Sequence, residues 1–355
     1  MTAPLPPFAC IHSPAVPELL KQLNCSIAIS TYQAGKLIFI SSIDGKKLVQ
    51  LPRNFKKPMG IFINNHGLSI ATENSVIEFE NAVKMALNLP GKKNTYDALF
   101  LPRVTYHTGG LDIHDLHKIN GDLIAVNTVF SCLSRITSRH SFEPVWKPNF
   151  IKKLRPTDDC RLNGLAVEKD KIKYVSALGS TNTPEGWRND KLTSGVIIDV
   201  DSGETVASNL SMPHSPRLYH NELYCLISAK GELIKIDTQT GSYEVVKTFN
   251  GFLRGMDKIG DYLFIGLSKI RKESDAFGDL PIAPYANQSG IVILHLPTRG
   301  VVGSILYKNS VEEIYDVKLL RGFIRPSILN TEKEEHKIAV TSPVGEYWAI
   351  KPKES

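Results

Sequence analysis

The sequence predicts an all-β protein, a six-bladed β-propeller whose ring is closed by strands from both ends of the chain. Three observations carry this reading. Six segments recur at intervals of about 40–60 residues, the spacing of propeller blades and other stacked units: Pro58-Met59-Gly60, Ile113-His114-Asp115, Leu162-Asn163-Gly164, Pro213-His214-Ser215, Leu253-Arg254-Gly255 and Ile314-Tyr315-Asp316. Short runs rich in β-branched and aromatic residues follow them, separated by turns such as Asp44-Gly45, Asn120-Gly121 and Thr240-Gly241, and helix signals are nearly absent. The fifth unit reads as four strands in sequence, Leu218–Tyr219, Glu222–Ser228, Gly231–Asp237 and Ser242–Thr248, which is the content of one blade.

The elements follow in order. Val16–Leu23 reads as a short helix, and Cys25–Thr31, Gly35–Ser42 and Lys46–Leu51 as the second, third and fourth strands of a blade that lacks its first. Glu313–Leu320 reads as a first strand without a nearby hairpin partner. Pairing the two removes the exposed edges of an open array. Overlaying Gly121-Asp122-Leu123, Asn221-Glu222-Leu223 and Asp261-Tyr262-Leu263 brings His114, His214 and Arg254 to equivalent positions. The neighbouring strands place Met59 and Asn163 there too. Val83–Leu89 fits one or two helical turns. Residues 1–23 are an N-terminal extension, 24–330 the propeller and 331–355 a C-terminal extension; a seventh blade built from His336–Ile350 is the alternative.

Composition narrows the function classes. Hydrophobic residues make up 42% and charged residues 22% of 355, an ordinary globular balance. No run approaches the roughly 18 apolar residues of a membrane span, so no membrane partner is expected. Met1–Pro17 holds five prolines and neither a basic nor a long apolar region, unlike a secretory signal. Five scattered cysteines without a CxxC pair read as reduced thiols, so a cytoplasmic location is expected. The net charge is +6, but the basic residues are spread as short pairs among acids, which argues against a nucleic-acid partner.

The inner strands of a propeller start at one mouth of the channel, and long loops gather on the same rim: Tyr96–Leu111, Asn149–Leu162, Leu178–Lys191 and Ser268–Ser289. Alternate blades contribute His114, His214 and Tyr315-Asp316, each about a hundred residues apart. Two imidazoles and the Asp316 carboxylate around one axis are a candidate divalent-metal site of unspecified metal, with His107 from the entry loop as a further imidazole. A metal held there lowers the pKa of a bound water. Arg217 and Arg254 suit bidentate recognition of carboxylate or phosphate, and Asn163 completes the polar ring. Each has a bland counterpart: channel residues that satisfy one another, salt bridges to Asp112, Asp115 or Asp257, and a turn shaped by His107. Trp187, Arg188 and Phe277 either wall a pocket or anchor loops. P-loop, GxGxxG, GxSxG and HExxH motifs are missing, and Cys132 and Cys160 read as packing residues.

Ser-Thr-Tyr-Gln-Ala-Gly-Lys-Leu (30–37), Asp-Ile-His-Asp-Leu (112–116), Arg-Leu-Asn-Gly-Leu-Ala (161–166), Ser-Met-Pro-His-Ser-Pro-Arg (211–217), Phe-Leu-Arg-Gly-Met (252–256) and Glu-Ile-Tyr-Asp-Val (313–317) together resemble a bacterial conserved-hypothetical family over about residues 20–330. The resemblance implies the fold and the blade starts and names no reaction. In architecture the chain is more distantly similar to propellers of the gluconolactonase, strictosidine-synthase and peptidyl-amidating-lyase types, which implies metal or catalytic groups at the channel mouth. Only His114 and His214 echo the three-histidine centre of the amidating lyase. The third position is Tyr315-Asp316, and Met59 stands nearest the early glutamate of gluconolactonases.

These readings lead to an expected metal-dependent hydrolase or lyase acting on an anionic or carbonyl-bearing small molecule or peptide. His114, His214 and Asp316 would hold the metal, with His107, Asn163, Arg217 and Arg254 around it. The alternative is a non-catalytic propeller that binds a peptide or protein partner through the same rim.

Overall fold

The computed structural model describes residues 4–270 and 277–349. Six antiparallel sheets form the blades. Blade one joins Asp316–Arg321 to Cys25–Thr31, Lys36–Ser41 and Val49–Asn54, with Ile27 opposite Leu319, so the ring closes with strands from both ends of the chain. Blades two to six begin with the inner strands Ile61–Ile63, Ile113–Ile119, Leu162–Glu168, Pro213–Tyr219 and Phe252–Ile259, and each runs outward through three further strands.

The local chemistry explains the repetition. Three inner hairpins have two-residue turns at Asn120-Gly121, Lys169-Asp170 and His220-Asn221, all six residues at positive φ. That is the turn geometry matching the twist of paired strands. Along the strands successive side chains face opposite neighbours: Ile27 and Ile29 pack with Phe264 and Ile293 of blade six, whereas Ala28 packs with Ile61 and Ile70 of blade two. Each of the six blade interfaces has its own apolar cluster.

The ends of the chain add to the perimeter. Cys10–His12 pairs outside Gly300–Tyr307 of blade six, ahead of the helix Val16–Gln22. Pro326–Ile328 lies parallel to Ala98–Phe100 on the outside of blade two. Among the described residues no seventh blade forms: Ala339–Ser342 and Gly345–Trp348 make a lone hairpin, whose Trp348 packs on the cluster around Met85 and Leu99, and Ile350 lies outside the described residues. Two strands have too little area to make another sheet of the ring.

One loop reading is corrected. Tyr96–Leu111 contains the ten-residue outer strand Ala98–His107, because Ala98–Leu101 is an apolar run that buries completely. Pro102 is compatible with an outer strand, where its missing N–H breaks no ladder on the free side and the register shifts beside it. Leu178–Lys191 and Asn149–Leu162 remain largely loop, and residues 271–276 of the Ser268–Ser289 connection lie outside the described residues.

Candidate functional site at the loop-bearing mouth

His114 and His214 are held by the same device. Asp112 and Met212, each two residues upstream, have φ of 50° and 57°, which turns their carbonyls back onto the following imidazole. Nδ1 of His114 lies 2.9 Å from the Asp112 carbonyl and Nδ1 of His214 3.0 Å from that of Met212. A carbonyl only accepts, so Nδ1 carries the hydrogen in both rings. The hydroxyls of Thr128 and Ser228 sit 2.8 Å from the same nitrogens and donate their own hydrogens to Leu162 and Leu253 carbonyls of the next blades. Both rings therefore keep a lone pair on Nε2.

Both imidazoles line one small void of about 10 Å³ that Asn163, Arg254, Tyr315 and Asp316 also line. Nε2 of His114 and the Tyr315 hydroxyl are buried without a protein partner. A void of this size matches a single water or ion. Tyr315 is packed on three sides, by Tyr32 at 5.7 Å, His114 at 5.2 Å and the Arg254 guanidinium at 3.9 Å.

Burial pushes His114 down to about 3, with Arg161 and Arg254 adding to the fall and Asp112 opposing it. His214 is pushed well below its ordinary value by burial and then by Arg254. Both are neutral at pH 7, so neither is tuned as a proton carrier there, and both are in the form that accepts a hydrogen bond or ligates a metal. The unfolded chain takes up these protons near the ordinary histidine value while the folded chain does not. Stability is then complete above about pH 6.5 and falls on acidification, by about 1.4 kcal/mol per pH unit for each histidine until its folded value is reached. Denaturant unfolding at about pH 7 and pH 5 checks this. His114→Gln/His214→Gln is expected to lose clearly less stability between the two than the wild type, and equal losses would contradict it.

The other expected residues are distributed differently. Asn163 is buried and joins blades four and five, donating to the Pro213 carbonyl at 3.0 Å and accepting from Ser176 at 2.6 Å. Arg254 stays at the mouth, where it pairs with Glu313 at 3.0 Å. Asp316 lines the void, yet its carboxylate accepts the Ile61 and Val317 N–H groups at 3.0 and 2.8 Å and lies 3.6 Å from Lys318. Arg217 and Asp115 also border the void, and the guanidinium reaches from there deeper into the channel, to Asp115 at 2.8 Å and the Leu165 carbonyl at 2.7 Å. His107 is exposed at the end of the outer strand of blade two, opposite Ser75. Among the described residues no group of three His, Cys, Asp or Glu side chains has metal-binding geometry.

Trp187 is fully buried and anchors the loop layer with Leu178, Met212 and Phe252, with Arg188 stacked over it at 4.5 Å. Phe277 packs against Phe252 in the same layer. Sequence reasoning missed Arg161, which ties Asp112 at 2.9 Å to Asp158 at 2.7 Å beside His114. Its signal was its place two residues before Asn163, matching Asp112 before His114. Lys318 was missed as well, whereas Asp115 takes the role of salt-bridge partner expected for it, with Arg217 at 2.8 Å.

A family model described as a domain of unknown function, DUF4915, matches residues 14–329. The chain belongs to this family. Its matched region runs from the first helix through the strand that flanks blade two. A search of curated proteins finds no match. Among solved structures, a chain of a nidogen/laminin complex aligns with a TM-score of 0.53 at 8% identity, over 84% of this chain and 99% of that one. A streptogramin B lyase aligns with a TM-score of 0.40 at 12% identity, over 78% and 74%. The likeness to the nidogen/laminin chain concerns the fold alone.

Among the described residues no helix is long and apolar enough to cross a membrane. Cys10, Cys25, Cys132, Cys160 and Cys225 are all unpaired. Burial pushes the Cys132 and Cys160 thiols up to about 11 and 12, which makes them poor nucleophiles.

Proposed function

We propose that the loop-bearing mouth is the working site of the protein, that His114 and His214 hold a divalent metal ion through Nε2, and that the site acts as a hydrolase or lyase on a small anionic or carbonyl-bearing molecule or peptide. The observation that carries the reading is the repeated device on two alternate blades, which fixes both rings in one neutral tautomer with lone pairs at a shared void. A buried acceptor without a partner is costly, and His114 Nε2 is one. A metal bound there would supply a water of lowered pKa. The residues fit in part: two imidazoles are suitable donors, while Asp316 is occupied by two backbone N–H groups. Further ligands would come from water or substrate. Arg254, with its guanidinium over Tyr315, is placed to bind the anionic group of the substrate.

A second reading is favoured by the same guanidiniums. Arg161 and Arg254 lie beside the imidazoles, each paired with carboxylates (Asp112 and Asp158; Glu313), and an anionic peptide or protein segment that exchanges with those pairs would bind without chemistry. Metal analysis of protein purified without an affinity tag separates the two. Stoichiometric metal in the wild type, lost in His114→Ala/His214→Ala with the fold retained, is the expected result. No metal after reconstitution with zinc, manganese, iron, copper or calcium would leave the binding reading in its place.

A further inference from the structure

The inner strands carry a second alternate-blade set, three residues beyond the first. His117, Arg217 and Lys318 follow His114, His214 and Tyr315 by the same interval. They lie further along the channel, towards the hairpin turns and away from the long loops, although a register shift between His214 and Arg217 shortens the step and Arg217 still borders the histidine void. There they line a cavity of about 210 Å³, with Phe62, Leu165 and Leu218 among its apolar walls.

The donors facing this cavity are incompletely used. Arg217 places three hydrogen bonds on Nη1, to Asp115, Leu165 and Pro216, whereas among the described residues its Nη2 meets Asp316 at 4.0 Å. The Lys318 ammonium lies 3.9 Å from Asp115 and 3.6 Å from Asp316, beyond hydrogen-bond distance of either. Their side chains are only 13% and 16% exposed, so the cavity is the route by which these donors meet a ligand. Three cations, Arg217, Lys318 and Arg321, line the cavity against two carboxylates, Asp115 and Asp257. His117 donates from Nδ1 to the Lys118 carbonyl at 3.0 Å and its ring packs tilted against Phe62 at 4.6 Å, which leaves Nε2 as an acceptor.

We propose that this cavity, at the opposite mouth from the histidine pair, is a binding site for a small organic anion, whose head lies between Arg217 Nη2 and Lys318 Nζ and whose short apolar body rests on Phe62 and Leu218. Two cationic groups that keep hydrogen-bond donors to spare above apolar walls match an amphiphilic anion better than a free ion or an apolar molecule. Phosphate shares the head-group chemistry without the apolar body, so it tests the walls separately.

Calorimetric titration of the full chain with benzoate, lactate and inorganic phosphate, in a buffer free of other organic anions, checks the site. Saturable one-to-one binding of benzoate or lactate is expected, tighter than phosphate. It should weaken at least about tenfold in Lys318→Met and in Leu218→Trp. Leu218→Trp fills the cavity and keeps every charge, so it decides the matter if Lys318→Met fails to fold. His114→Gln is expected to retain the affinity, which separates this site from the one at the loop-bearing mouth. Absence of saturable binding by all three probes, affinity for phosphate alone, or equal affinity in wild type and Leu218→Trp would overturn the proposal.

Discussion

Gly255→Ala is expected to lower the stability of the protein by about 3 kcal/mol, although it adds one methyl group. Gly255 has φ of +74°, where an L side chain is strained by about 1–2 kcal/mol. A Cβ there would also lie 2.7 Å from Asp316 Cα and collide with the Val317 nitrogen. Those atoms are backbone of blade one, so relief requires moving whole strands, and overpacking of this kind costs about 1–3 kcal/mol more. The contact sits on the seam between blade six and the blade stitched from both chain ends. Gly121→Ala is the control: φ is +92° and no atom lies within 4 Å, so only strain remains. Urea unfolding of the two variants should give Gly255→Ala roughly twice the loss. Equal losses would mean that the close approach of the blades is not limiting.

Arg217→Met is expected to cost about 3–5 kcal/mol, the range for removing one partner of a buried ion pair. Its guanidinium holds Asp115 at 2.8 Å and two carbonyls of the channel wall. Without it the Asp115 carboxylate, 5% exposed, keeps only Lys318 at 3.9 Å and the Leu116 and Leu165 N–H groups. Asp115→Asn/Arg217→Met should recover a substantial part of the loss, because it removes the stranded charge. A double-mutant cycle by denaturant unfolding measures this coupling. Additive losses would show that the pair is not what holds this layer of the channel together.

Both expectations come from one feature of the ring. The innermost strand of every blade has an unpaired edge facing the channel, and its N–H groups need acceptors. On alternate blades the neighbouring side chain supplies one: Asp316 to Ile61, Asp115 to Leu165 and Ser215 to Gly255. Beside each lies a glycine, Gly60, Gly164 or Gly255, whose missing Cβ admits the next blade's backbone. This pseudo-threefold pattern is written in the chain, since His-Asp, His-Ser and Tyr-Asp alternate with Met-Gly, Asn-Gly and Arg-Gly. Asp316 lines the void and also caps strand N–H groups at the ring closure, that of Ile61 in blade two through one oxygen and that of Val317 in its own strand through the other.

The propeller, the stitched closure and the equivalence of His114 with His214 were determined by the sequence alone, because they rest on period, turn residues and strand alternation, which are local properties. The flanking helices, Val16–Gln22 and Val83–Leu87, were legible for the same reason. The choice of six blades over seven came from the structure, in which residues 339–348 form a lone hairpin. Only the tertiary structure decided that Arg217 spans from the histidine void to the second cavity, that Asn163 bridges two blades, that His107 ends on the perimeter, and that Lys318 joins Arg217 there. Inner-strand side chains point at neighbouring blades rather than along the channel axis. Their partners are therefore set by the rotation from one blade to the next, which is fixed only when six apolar interfaces pack at once.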